Sequence, residues 1–335
     1  MMLALVMAAV LGFVEPQALS GQRSQGFSVG VSTIQIDPST EVTQSVRVLL
    51  WRPIREPLAP ATLLDLAHLV CPAATGVADC FRDLAQPTGL PGDVVLSSSQ
   101  LDALSRIRLD AGIGGAAIKV RQPLVVFAGS IGSRGAEFME LAQLLASRGI
   151  VTAIVIPPFQ ARRPEFSAAE AESAHTRLKR AIASLVADRG VDPARLALAA
   201  WSFGGVPAAL EAMNNPAVRG LLSLDSAIRY QYGVDLIRSS PAYRPQAYHG
   251  RVLSLVAGRT NPVPQSDRVM ESLTNARIDS VVLAELRHGD FSDLYAAVPM
   301  RVVQPTDAAL EKGRAGMLRL SVDFLERVLK PTSAP

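Results

Sequence analysis

Ser202 lies in the run Ala200-Trp201-Ser202-Phe203-Gly204-Gly205, between an apolar stretch at 196–201 (LALAAW) and a helical pattern at 206–213. That is the arrangement of a nucleophile elbow, in which a sharp strand-to-helix turn holds the hydroxyl clear of a sheet at a helix N-terminus. Small neighbours are required because strand and helix backbones approach closely there. The pattern reads A-x-S-x-G, with Ala200 where the motif usually has its first glycine. The plainer reading, a structural serine in a glycine-flanked turn, is disfavoured by the strand before it and the helix after it.

A serine at its ordinary pKa is a weak nucleophile and needs a base within hydrogen-bond reach. The chain has four histidines: His68, His175, His249 and His288. His288 directly follows the last expected strand, in LRHGDF, so its loop opens on the rim where the C-terminal ends of parallel strands gather. It is the expected base. His68 and His175 fall on helical patterns and read as surface or packing residues. His249, in a long loop assigned to the same rim, is the reserve.

The imidazole needs an orienting carboxylate. Asp225, at the end of the strand after the nucleophile's helix, is the first choice and Asp267 the second; Asn261 carries no charge. The plain alternative for Asp225 is a turn or helix cap. An oxyanion would be held by backbone N–H groups. The expected donors are Phe203 and, in the loop after 123–129 (PLVVFAG), Ile131 or its neighbours. Gly129 and Gly132 are read as giving that loop freedom to turn. The loop lacks a P-loop lysine and the dinucleotide spacing, which argues against a phosphate cradle.

These residues need elements to position them. Stretches 30–36 and 45–51 are predicted as an antiparallel pair of strands, and 61–69 and 99–109 as helices. From residue 123, apolar strands (123–129, 150–156, 196–201, 221–224, 252–257, 280–286) alternate with helices (137–147, 168–189, 206–213, 306–329). Such alternation specifies an α/β fold, a mostly parallel sheet of about eight strands with helices on both faces.

The composition, 49% hydrophobic and 19% charged, is that of a globular chain with a sizeable core. Aromatics make up only 5% and the net charge is +3 with scattered arginines, so nucleic acid is not an expected partner. Residues 3–14 (LALVMAAVLGFV) suit a signal-peptide core and are too short to span a bilayer, which takes about twenty residues. No Lys or Arg precedes them, and a buried N-terminal helix is the alternative. The expectation is a leader at 1–20, cleaved near 18–21, an exported protein and one domain over 27–335. No later stretch reads as a membrane anchor. Cys71 and Cys80 have no histidine cluster to complete a metal site. In an oxidising compartment they could close a small loop, although two buried thiols would read the same.

From 46 to 329 the chain resembles secreted platelet-activating-factor acetylhydrolase-like and predicted dienelactone-hydrolase-like esterases. The resemblance is carried by VRVLLWRP, LVVFAGSIGS followed by ELAQLLASRGIVTAIV, AWSFGG, SLDSAIRY and LRHGDFSDL. It implies the α/β-hydrolase fold and a Ser202–Asp225–His288 triad, with Ile131 as the second oxyanion amide beside Phe203. It also implies a small-molecule ester substrate with a short or oxidised acyl group, cleaved through an acyl-enzyme without metal or cofactor. Two departures leave the substrate open: Gly129-Ser130 stands where those esterases commonly have His-Gly, and Ala200 replaces glycine. A peptidase or polyester hydrolase would use the same residues, and a non-catalytic binding protein on this fold would show a broken site. Tyr230, Tyr232, Tyr243 and Tyr248, in the loop read over 226–250, either shape a pocket or pack the loop down.

Overall fold

The computed structural model describes residues 26–38, 45–71, 80–81, 97–131, 133, 135–157, 166–259, 263–293 and 307–331. The expected leader at 1–20 and its cleavage point lie outside them, as do Gly132 and Asn261. The strands are β1 (Ser28–Ile36), β2 (Val46–Ile54), β3 (Gly112–Ile113), β4 (Gln122–Ala128), β5 (Val151–Ile156), β6 (Val191–Ser202), β7 (Val218–Ser226), β8 (Arg251–Ala257) and β9 (Arg277–Leu283). They form one sheet in the order β3-β1-β2-β5-β4-β6-β7-β8-β9. The run from β5 to β9 is parallel, while β2 is antiparallel to both β1 and β5. Among the described residues the sheet has nine strands, the expected eight and one more. The extra one, β3, is two residues long, too short for any alternation to show in sequence.

The central strands are apolar because both faces are covered. All six residues of β5 are buried. Along β4, Leu124, Val126 and Ala128 join one core cluster and Val125 and Phe127 the other, as the two-residue pleat requires. Helices α1 (Leu63–Val70), α3 (Met139–Ser147) and α8 (Ala308–Leu329) pack on the Phe127 face. Helices α4 (Ala168–Val186), α5 (Gly205–Asn214) and α6 (Gln231–Ser239) pack on the other. Two shorter helices are α2 (Ser98–Ser105) and α7 (Arg268–Ser272).

Three expectations shift. The helix expected over 99–109 ends at Ser105, because Leu109 N–H donates to Ala61 O and Leu63 N–H to Ile107 O, tying that stretch to the entrance of α1. The last strand lies at 277–283 rather than 280–286; as an edge strand with most side chains exposed, it lacks the apolar signature of its neighbours. The segment read as one loop over 226–250 contains α6, whose buried Val234 and Ile237 are three residues apart on one face.

Cys71, at the C-terminal end of α1, is disulfide-bonded to Cys80 across a sequence separation of 9. Closing a loop of that size stabilises the fold by about 2–3 kcal/mol in the chain-entropy view. Replacing both cysteines by serine should lower the urea midpoint accordingly, and reductant should have no further effect on that variant. Equal midpoints for wild type with and without reductant would show that the disulfide does not stabilise the fold.

Candidate active site

β6 ends on Ser202 and α5 begins at Gly205, so only Phe203 and Gly204 make the turn. Ser202 has φ 53°, in the left-handed region that side chains other than glycine disfavour. The glycines around it are set by space. A Cβ on Gly204 would lie 2.3 Å from Ala128 O, and one on Gly205 would lie 2.4 Å from Ser226 Oγ. The elbow is thus pressed against the ends of β4 and β7. Ala200 differs: it is a sheet residue, paired with Ala128 and Ser223 and fully buried, and its methyl fits the core on the α5 side.

The fold brings Ser202, His288 and Asp225 together. His288 opens a short 3-10 turn (His288–Phe291), and its Nε2 lies 3.2 Å from Ser202 Oγ. Its Nδ1 lies 2.7 Å from Asp225 Oδ2. Asp225 is 4% exposed and has φ 42°. Its Oδ1 accepts from Ala257 N–H at 3.0 Å, and its Oδ2 also accepts from the Tyr230 hydroxyl. Burial pushes the Asp225 pKa up, but the bonds from His288, Tyr230 and Ala257 outweigh it and hold the carboxyl below its ordinary 3.8. The imidazole stacks on the Trp201 indole at 5.1 Å and meets the Tyr230 ring edge-on. The Trp201 Nε1–H donates to the His288 carbonyl at 3.0 Å, fixing the backbone that carries the imidazole.

The Tyr230 and Tyr232 rings are nearly parallel, 6.1 Å apart. The Tyr232 hydroxyl interacts with that of Ser202, and burial pushes its pKa up to about 12, so it remains a neutral phenol at ordinary pH. Phe166 packs on both Tyr232 and Phe203, leaving an aromatic wall beside the serine. Tyr243 and Tyr248 take the other course. Their hydroxyls bond to Ser272 Oγ and Arg251 O, and they pack the segment down. Trp201 and the division of labour among the tyrosines escape a sequence reading, because each contact joins residues whose spacing carries no pattern.

Ile131 lies in a turn that follows β4, closed by Ser133 N–H donating to Ser130 O at 3.0 Å. Phe203 stands at the entrance of α5, so both amides belong to the rim that holds Ser202. Gly129 is needed for close approach rather than for freedom to turn, since a Cβ there would lie 2.4 Å from Val155 O. His249 is exposed and stands two residues before β8, at the N-terminal rim and away from Ser202, because α6 has already carried the chain back across the sheet. Asp267 pairs with Arg229 at 2.8 Å. His175 is buried 3.2 Å from Glu211, and His68 is exposed on α1. Among the described residues no three His, Cys, Asp or Glu side chains converge as a metal site would need. Among the same residues no helix is long and apolar enough to cross a membrane.

The chain has the α/β-hydrolase fold. Its structure is similar to that of a ferulic acid esterase from Streptomyces cinnamoneus, with TM-score 0.62, 19% identity and 96% of each chain covered. It is also similar to an acylaminoacyl peptidase from Pyrococcus horikoshii (TM-score 0.52, 11% identity), over 92% of this chain and 43% of that one. A puromycin-hydrolysing peptidase from Mycobacterium tuberculosis (TM-score 0.50, 13% identity) aligns over 90% of this chain and 40% of that one. The chain spans less than half the length of either peptidase. No family model matches the sequence, and no curated protein matches it.

Tyr230→Phe removes one donor from the buried Asp225 carboxylate and should destabilise the protein by about 1.5–3 kcal/mol at pH 7. A carboxyl with a depressed folded pKa contributes stability above its unfolded value, and that contribution is lost as pH falls through the folded one. The gap between wild type and variant should therefore be full at neutral pH and narrow below 3.8. Denaturant titrations at pH 7 and pH 3 would check this, and a gap that widens in acid would refute it.

Proposed function

We propose that this protein is a serine hydrolase of carboxylic esters acting through an acyl-enzyme. The observation that carries the reading is the unbroken chain of contacts from Ser202 Oγ through His288 to Asp225, at 3.2 and 2.7 Å. Ser202 Oγ attacks the ester carbonyl carbon as its proton passes to His288 Nε2, and the carbonyl electron pair moves onto oxygen. Asp225 keeps the proton on Nδ1 and stabilises the imidazolium. The amides of Phe203 and Ile131 hold the oxyanion. His288 then protonates the departing alkoxide, and water repeats the sequence in reverse to release the acid.

Short acyl groups and small esters are the proposed substrates, in keeping with the resemblance to acetylhydrolase-like esterases. A non-catalytic binding protein would not need three donors on one buried carboxylate beside a strained serine. We further propose that residues 1–20 are a leader and that 27–335 remain as one exported domain. The Cys71–Cys80 disulfide supports this, because such bonds persist in oxidising compartments.

Hydrolysis of p-nitrophenyl acetate, butyrate and octanoate by the mature chain should fall at least about a thousand-fold in Ser202→Ala, with rates highest on the shorter acyl groups. Folded wild type that is inert on all three esters and unlabelled by a fluorophosphonate would sink the proposal.

A further inference from the structure

Behind the histidine turn lies a buried ionic cluster that the proposed reaction does not use. Arg314, on α8, is 4% exposed and Asp293 2%. Arg314 Nη2–H donates to Asp293 Oδ1 and, at 2.9 Å, to Glu140 Oε2. Its Nη1–H donates to the carbonyls of Asp290 at 2.8 Å and Ser292 at 3.4 Å, both in the stretch that follows His288. Asp293 Oδ2 accepts from Glu140 N–H at 2.8 Å, which ties the stretch to the first turn of α3.

The network continues to the other side of the site. Asp293 N–H donates to Glu137 O at 2.8 Å. The Glu137 carboxylate accepts from Ser133 Oγ at 2.8 Å and Gly135 N–H at 2.9 Å, both in the loop after β4 that carries Ile131. One connected set of bonds thus runs from the histidine turn to the loop of the expected second oxyanion amide. Stability is a weak reason for such an arrangement, since apolar side chains of similar volume often hold a fold as well as a buried ion pair. What the guanidinium supplies is a rigid fork whose donors set two carbonyls and two carboxylates in one geometry.

We propose that Arg314 is a positioning residue that fixes the His288 turn and keeps it in register with the loop of Ile131. Its kinetic consequences rest on the hydrolase reading above; its effect on His288 does not. Burial and the neighbouring Glu140 push the Asp293 carboxyl up while Arg314 draws it down, so loss of the guanidinium would favour the protonated acid and loosen the turn further.

The test compares Arg314→Lys, which keeps the charge and loses the fork, with Arg314→Met combined with Glu140→Gln and Asp293→Asn, which strands no buried charge. Four quantities are read: kcat and KM on p-nitrophenyl butyrate, the rate of fluorophosphonate labelling, and the low-field proton resonance of His288 Nδ1–H, assigned by its loss in His288→Ala. In each folded variant kcat and the labelling rate should fall about 10- to 100-fold, as expected for displaced reacting groups, with KM within about twofold of wild type. The resonance should broaden or vanish. A variant with wild-type kcat, labelling and resonance, altered only in melting temperature, would overturn the proposal. If wild type hydrolyses no ester and takes up no label, the hydrolase reading fails, while the resonance still decides whether Arg314 positions His288.

Discussion

At the C-terminal ends of two neighbouring strands lie residues whose backbones are in the left-handed region, Ser202 at φ 53° as the last residue of β6 and Asp225 at φ 42° as the last but one of β7. Each conformation costs about 1–3 kcal/mol in a residue with a side chain and persists only where the surroundings over-determine it. The surroundings here are specific. The register slips between Trp201 and Ser202, so that Ser202 pairs with Ser226, and Gly204 and Gly205 admit the ends of β4 and β7 into the turn. With the two turns side by side, hydroxyl and carboxylate can flank one imidazole delivered by the loop that follows β9.

The carboxylate makes the second demand. A buried charge without partners would take up a proton. Asp225 instead receives bonds from three parts of the chain: the last residue of β8, the tyrosine at the entrance of α6, and the histidine turn. The strand order β7-β8-β9 is what brings the first and third to it. Trp201, one residue before Ser202, closes the circuit by holding the His288 carbonyl and stacking on its ring. The rim that carries Ser202 and His288 is therefore held from the sheet, from the aromatic side and, through Arg314, from the helical layer behind it.

Overall similarity has little to say about chemistry at this distance. An esterase and two peptidases share the architecture at 11 to 19% identity, and a fold of this kind hosts many reactions. What separates one substrate from another on such a fold is the lining of the rim. There, Phe203 follows Ser202 in the chain, the neutral phenol of Tyr232 faces the serine hydroxyl, and Phe166 packs on both rings.

The alternation of apolar strands with helices, the elbow between 196–201 and 206–213, and the placing of Asp225 and His288 after strands were all legible in the sequence, because each is a property of a residue's own element. Periodicity records which face a segment buries, and in parallel strands the C-terminal ends must share a rim. The two-residue β3 and the exposed edge strand β9 carry little of that signal, while α6 has an apolar face but spans only nine residues between Tyr230 and Ser240. The rim to which His249 belongs, the steric need for Gly129, the choice of Tyr230 over Tyr248 as a partner for Asp225, and the network around Arg314 were settled only by the tertiary structure. Each depends on groups that meet across the fold, and the distance along the chain between such groups follows no rule that a reading of spacing could use.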